Sequence, residues 1–243
     1  MDKIILTCEH GGAVVPKTYA SLFKPEKNIL RTHRALDIGA LALAKKIFSE
    51  LNGSLPVSLD FCNVTRLIVD TNRNLDSDSL FSEFTRDLDA AEKLKIIERF
   101  YSPHRRAVSY RIRRAIENRS RVFHIGVHSM TEKLNGRTRL MQIAVLYDPS
   151  RPNERKFVRI WTAELKKLFP LYKITRNNPY RGNSAGPTSS LRSRFTDKMY
   201  LGLELEANQK LLRNFGSKER LEFAKKIAAS IALSVEKMPK PTI

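Results

Sequence analysis

Short apolar runs and longer amphipathic segments take turns along this chain, and their two periods predict strands and helices in alternation. The clearest strand is Val122-Phe-His-Ile-Gly-Val-His-Ser129. Val122, Phe123, Ile125 and Val127 fit no 3.6-residue stripe, and parity places His124, Gly126 and His128 on one face, with His128 at the carboxyl end. Ile4–Cys8 is a second strand and runs straight into Glu9-His10-Gly11-Gly12. Further strands are expected over 56–59, 66–70, 142–147, 172–175 and 200–206. In the last of these, Gly202, Glu204 and Glu206 share one face between leucines. Two carboxylates cannot both enter apolar packing without cost, so either that face is wet or Glu204 has a task.

Helical periodicity follows His33-Arg-Ala-Leu-Asp37, with Ile38, Leu41, Ile47 and Leu51 on one face and Asn52-Gly53 closing the helix. Asp37 stands where a cap or a first-turn carboxylate belongs. Two helices are expected between Ala90 and Arg121, broken at Pro103. Others cover 154–169, burying Phe157, Trp161 and Leu165, and 217–238. The turn-rich stretch 177–194 reads as a long loop of the kind that often serves as a binding lid. No repeat or linker interrupts the pattern. The expected architecture is therefore α/β: one domain over 1–243, a three-layer α/β/α sandwich around a mixed, largely parallel sheet.

Composition adds three constraints. With 243 residues, 42% of them hydrophobic, the chain can bury a substantial core. Two cysteines, Cys8 and Cys62, are too few for a disulfide framework or a cysteine metal site. No apolar run is long enough for a membrane helix and the amino terminus lacks a signal-peptide pattern, so a cytoplasmic enzyme without a membrane partner is expected. The charge is less ordinary. Forty-four Lys and Arg against 25 Asp and Glu give +19, which favours anionic partners: nucleic acid, phosphates or carboxylate substrates. Segment 92–121 alone carries ten basic and three acidic residues. It reads either as a solvated helix face or as a nucleic-acid surface, although it lacks the aromatic interleaving that single-strand binding uses.

The unusual polar residues gather at strand ends, where open α/β sheets bind ligands. Each histidine there could be a hydrogen-bonded loop or core residue. Alternatively, two imidazoles and a carboxylate could hold Zn²⁺, which polarises a carbonyl and acidifies water. A nearby glutamate would then carry the proton to the leaving nitrogen, and arginines with an asparagine would grip a substrate carboxylate. That recipe suits metal-assisted hydrolysis of an amide beside a carboxylate.

Eight blocks carry a resemblance that spacing alone does not supply. They are Cys8-Glu-His-Gly-Gly-Ala-Val-Val-Pro16, Leu36-Asp-Ile-Gly-Ala40, Thr65-Arg-Leu-Ile-Val-Asp-Thr-Asn-Arg73, Leu80-Phe-Ser-Glu83, Val127-His-Ser-Met-Thr131, Leu146-Tyr-Asp-Pro149, Asn178-Pro-Tyr-Arg-Gly182 and Gly202-Leu-Glu-Leu-Glu-Ala-Asn-Gln209. In this order they resemble the N-formylglutamate amidohydrolase family. The resemblance implies a zinc carboxypeptidase-like fold and hydrolysis of N-formyl-L-glutamate, or a similar N-acyl amino acid, to an acid and a free amine. By the same likeness, His10 and His128 are the imidazole ligands of a Zn²⁺ ion. The carboxylate usual in zinc carboxypeptidases three residues after the first histidine is here Ala13, so its role passes to Asp37, with Glu9 as alternative. Asp70-Thr-Asn-Arg73 resembles an aspartoacylase element, which implies that Asn72 and Arg73 bind the substrate carboxylate with help from Arg66. Ser129 and Arg181 join them, and Glu204 falls where the general base lies. Three places depart from the family pattern: Ala185-Gly186 replaces Asp-Gly, Gln142-Ile-Ala replaces Asp-Ile-Gly, and Met130 stands where aromatic or polar residues are common. The competing expectations are a carboxypeptidase-like or peptidoglycan-fragment amidase, and a basic nucleic-acid-binding protein on an idle hydrolase fold.

Overall fold

The register of the central strand decides which side chains meet. In the computed structural model, which describes residues 1–134, 136–184 and 186–240, strand β1 (Lys3–Cys8) precedes helix α1 (Ala40–Leu51) and strand β2 (Val57–Phe61). Helix α2 (Ala90–Ile96), a π-helical turn (Ile97–Tyr101) and helix α3 (Ser102–Glu117) lead into β3 (Val122–Met130). A small hairpin, β4 (Lys133–Leu134) with β5 (Arg137–Thr138), stands before β6 (Ile143–Tyr147), α4 (Pro152–Leu168) and β7 (Ile174–Arg176). Helix α5 (Pro187–Arg192), strand β8 (Tyr200–Asn208), α6 (Gln209–Asn214) and α7 (Ser217–Glu236) complete the chain. Among the described residues no helix is long and apolar enough to cross a membrane.

The six-stranded sheet has the order β2-β1-β3-β8-β6-β7. Strands β2, β1, β3 and β8 run parallel, β6 is antiparallel to β8, and β7 follows β6, so the sheet is mixed. One face buries Ile4, Leu6, Phe123, Ile125, Val127, Leu201, Leu203 and Leu205 against α1, α4 and α7. The other carries Ile5, Val122 and Tyr200 under α3 and α5, which makes the third layer. Each fully buried leucine or isoleucine contributes about 1.5–3 kcal/mol. A one-residue slip of β8 would exchange Leu201, Leu203 and Leu205 for Gly202, Glu204 and Glu206, so burial fixes the register strongly. That register puts Gly126 beside Glu204 and His128 beside Glu206.

Chain order reverses direction between β1 and β3: β2 lies to one side of the pair and β8 to the other. This is the switch point at which open α/β sheets leave a crevice beyond the carboxyl ends of their strands. His10 follows β1 and His128 lies two residues before the end of β3, so the topology delivers both imidazoles to it.

Three elements differ from the sequence expectation. Residues 66–70 form turns, not a strand, and their apolar side chains belong to a separate core with Tyr19, Phe23, Ile96 and Tyr101. The Leu67 and Ile68 carbonyls find partners in the hydroxyls of Ser82 and Thr85, which removes the need for a strand ladder. Pro103 does not break the helical run. It sits in the first turn of α3, and the π-helical turn before it accommodates the missing N–H and the ring. The stretch 177–194 contains α5, and Ala185 within it lies outside the described residues. A buried ion pair anchors this segment. Arg192 donates to Glu154 at 2.9 and 3.0 Å and to the carbonyls of Gly182 and Gly202 at 2.6 Å each, which ties the segment to α4 and β8.

Candidate active site

Asp37 is not a helix cap. Gly39 occupies the cap position of α1, and the Asp37 backbone N–H donates to the His10 carbonyl at 3.0 Å. That bond places the Asp37 side chain between the two imidazoles. Its Oδ2 lies 2.9 Å from His128 Nδ1 and 3.4 Å from His10 Nδ1, while its Oδ1 accepts from Arg66. One ligand atom from each of His10, Asp37 and His128 falls within 4.8 Å of the others, and all three side chains are buried.

The outward nitrogens are held as well. His10 Nε2 meets Asp70 Oδ1 at 2.6 Å, and His128 Nε2 lies 3.4 Å from Glu9 Oε2. Glu9 in turn lies 3.6 Å from His104 Nε2, on the far side of His128 from Asp37. Both Nδ1 atoms therefore face the one Asp37 carboxylate, while each Nε2 faces a carboxylate of its own. Two nitrogens and one oxygen, with carboxylates orienting the rings from behind, is a donor set of the kind Zn²⁺ accepts. The residues fit the ion.

The charges of these groups support each other. Burial pushes the Asp37 carboxyl toward its neutral form, but Arg66, His10 and His128 outweigh it and hold the group well below the usual range. Burial acts likewise on Glu9, and the adjacent imidazoles of His104 and His128, at 3.6 and 3.4 Å, reverse it. Asp70, against its burial, is lowered to about 2 by His10, Arg66 and Arg73. Burial lowers the basicity of His128, yet Asp37 and Glu9 raise it well above its ordinary value; His10 is raised by Asp70 and Asp37 over burial and Arg66. Three carboxylates thus concentrate negative charge around the two buried imidazoles.

Gly126 makes the geometry possible. A Cβ there would lie 3.2 Å from His128 Nε2 and 3.5 Å from Glu204 Cγ, so a side chain would crowd both groups. Gly12 has a similar role in the first motif, since a Cβ would stand 2.3 Å from the Asn63 carbonyl oxygen where two loops cross. Glu204 accepts from Thr188 Oγ1 at 3.4 Å, and burial raises its carboxyl above the ordinary range despite His128. Beside it Glu206 is raised to about 8 by burial, with Asp37 and Glu204 adding to the effect and His128 opposing it.

A cavity of about 510 Å³ opens over these groups. Its lining includes the sequence-predicted His10, Asp37, Arg66, Asn72, Arg73, His128, Ser129, Arg181 and Glu204. Glu9, the alternative ligand, is not among them; it sits behind His128. Arg66 is engaged by Asp37 and the His33 carbonyl, so its first task is to hold the carboxylate. Ser129 is tied through its hydroxyl to the Ile38 carbonyl and through its N–H to Asp37. Arg73 and Arg181 carry the less committed guanidiniums, Arg73 touching Ser79 at 3.1 Å. His124, on the same face of β3 as His128, stays outside the cavity and bonds Thr7 and Tyr200 at 3.0 and 2.8 Å. It is a core histidine, lowered by burial to about 4.

Asp70, His104 and Glu206 stand beside the residues expected from the sequence without being among them. Glu206 was visible as the second acid on the face of Glu204, and Asp70 as the first residue of the Asp-x-Asn-Arg element. His104 gave no signal, because only the packing of α3 on the sheet brings it to Glu9.

Known proteins share this fold. The fold is similar to that of a gene product of Agrobacterium tumefaciens, with 25% identity and a TM-score of 0.82 over 97% of this chain and 91% of that one. It is also similar to N-formylglutamate amidohydrolase of Ralstonia eutropha, at 16% identity and a TM-score of 0.74 over 97% and 95% of the two chains. No curated protein matches the sequence. The family model described as N-formylglutamate amidohydrolase matches residues 2–213. The chain belongs to the N-formylglutamate amidohydrolase family.

Proposed function

We propose that the protein is a zinc-dependent hydrolase that cleaves N-formyl-L-glutamate, or a similar N-acyl amino acid, to formate or another acid and the free amino acid. The observation that carries this reading is the meeting of His10, Asp37 and His128 beneath a cavity that also presents Glu204 and the arginines 73 and 181. His10 Nδ1, an Asp37 oxygen and His128 Nδ1 would hold the ion. When bound, Zn²⁺ supplies a positive charge that polarises the amide carbonyl and eases deprotonation of water.

The remaining work falls to the chain's own groups. Arg73, Asn72 and Arg181 receive the substrate carboxylates, for which a guanidinium fork is well matched. Glu204 takes a proton from the attacking water and passes it to the departing nitrogen. Its raised pKa suits it to both halves of that transfer. Arg66 keeps Asp37 ionised and in place.

Formate release from N-formyl-L-glutamate tests the proposal. Activity is expected to vanish with a chelator and return with Zn²⁺; a chelator-insensitive rate, or no formate from any N-formyl amino acid tried, would contradict it. Two variants probe the parts. Arg73→Ala is expected to raise KM by about 10- to 100-fold with kcat little changed, because a charge-assisted carboxylate bond serves ground and transition states alike. An unchanged KM would remove Arg73 from substrate binding. Asp70→Asn should weaken metal affinity by about 10- to 100-fold, since Asp70 orients the ring of His10. Metal titration by competition with a chromogenic chelator reads this, and wild-type affinity would show that Asp70 does not orient a ligand.

A further inference from the structure

A second cavity, of about 580 Å³, lies between α3 and α5 on the same face of the sheet. Four arginines line it: Arg105, Arg106, Arg113 and Arg194. The ion pairs of α3 are His104 with Glu9, Arg111 with Asp60, and Arg113 and Arg114 with Glu117. The Arg113 pair is long, at 3.8 Å, and exposed. Among the described residues Arg105, Arg106 and Arg194 pair with no carboxylate. Arg105 is held instead by the Thr71 and Arg73 carbonyls at 3.3 and 3.4 Å and lies over the Tyr101 ring, and Arg113 lies over the ring of Tyr110. Burial, more than any neighbour, lowers the basicity of Arg105, with Arg194 adding to the effect. His104 also lines the cavity. Its side chain is 7% exposed, and its buried Nε2, beyond hydrogen-bond range of any acceptor, lies 3.6 Å from Glu9 in the same lining.

Three guanidiniums without a carboxylate partner and a fourth in a long, exposed pair thus share one concave site whose only lining carboxylate is Glu9. Like charges so placed repel one another unless an anion joins them, and one carboxylate is too little charge for four. We propose that this cavity binds a small multivalent anion of the phosphate class, either free phosphate or the phosphate group of a metabolite. Guanidinium forks match phosphate oxygens in pairs, and the volume suits a small molecule. The two cavities are separate. Gly186 packs against the Asn72 backbone where they adjoin, and Glu9 with His104 forms the partition behind His128. A bound anion would thus sit across that partition from the metal ligands, distinct from any substrate carboxylate.

Titration calorimetry of the full chain with inorganic phosphate and with pyrophosphate tests the proposal, and needs no turnover to be read. Saturable binding is expected. The double variant Arg106→Ala/Arg194→Ala should weaken it by about tenfold or more, the equivalent of one lost charge-assisted contact. The same variant should keep its unfolding midpoint and basal amide hydrolysis, while Arg73→Ala should keep pyrophosphate binding. The proposal is overturned if wild-type protein binds neither anion, or if Arg73→Ala abolishes binding and the double variant does not. It is also overturned if a short single-stranded oligonucleotide displaces pyrophosphate and binds more tightly, which would make the surface a nucleic-acid site.

Discussion

A His128→Ala variant is expected to lose bound zinc and hydrolysis together. His128 is a buried ligand candidate whose Nδ1 faces Asp37 and whose Nε2 faces Glu9. Alanine leaves the two acids facing a gap with no imidazole nitrogen, and an ion held by one histidine and one carboxylate is poorly retained. Polarisation by the metal is worth several kcal/mol, so turnover should fall by about 10³-fold or more. Metal content and formate release on the same sample read both halves, and a circular dichroism spectrum reports whether the fold survives. Full zinc occupancy in the folded variant would take His128 out of the centre.

Glu204→Gln is expected to separate binding from chemistry. Glutamine keeps the size of the side chain and can still accept from Thr188, but it cannot take a proton. Zinc content and KM should stay near wild type while kcat falls by about 10²- to 10⁴-fold, the usual contribution of a placed general base. Its neighbour supplies the control. Glu206, raised to about 8 by burial, is the other acid on that face of β8. A wild-type rate in Glu204→Gln would exclude Glu204 as the base and turn attention to Glu206.

Much of this was legible in the order of residues because the determinants are local. Residues 122–129 could be read as a strand from their β-branched run, and strand parity set His128 on one face of that strand and Glu204 with Glu206 on one face of theirs; only the register of the pair brings the two faces together. The order of strands and helices implied the layered sheet. The resemblance added Asp37, which local reasoning could equally have made a helix cap. What stayed hidden depends on contacts distant in sequence. Residues 66–70 have strand composition, but the hydroxyls of Ser82 and Thr85 offered their carbonyls partners that no local pattern announces. Arg66 looked like a substrate ligand until its pairing with Asp37 was in view. The basic run of α3 read as a solvated face or a nucleic-acid surface, and only packing against α5 turns part of it into a cavity wall.

The proposed chemistry requires one divalent ion shared by His10, Asp37 and His128. Anomalous diffraction at the zinc edge, from crystals of protein purified with zinc, examines that directly. It should give a single strong peak about 2.0–2.2 Å from a ring nitrogen of each histidine and an oxygen of Asp37. A peak bound elsewhere, or these three side chains in their present contacts with no peak between them, would contradict it.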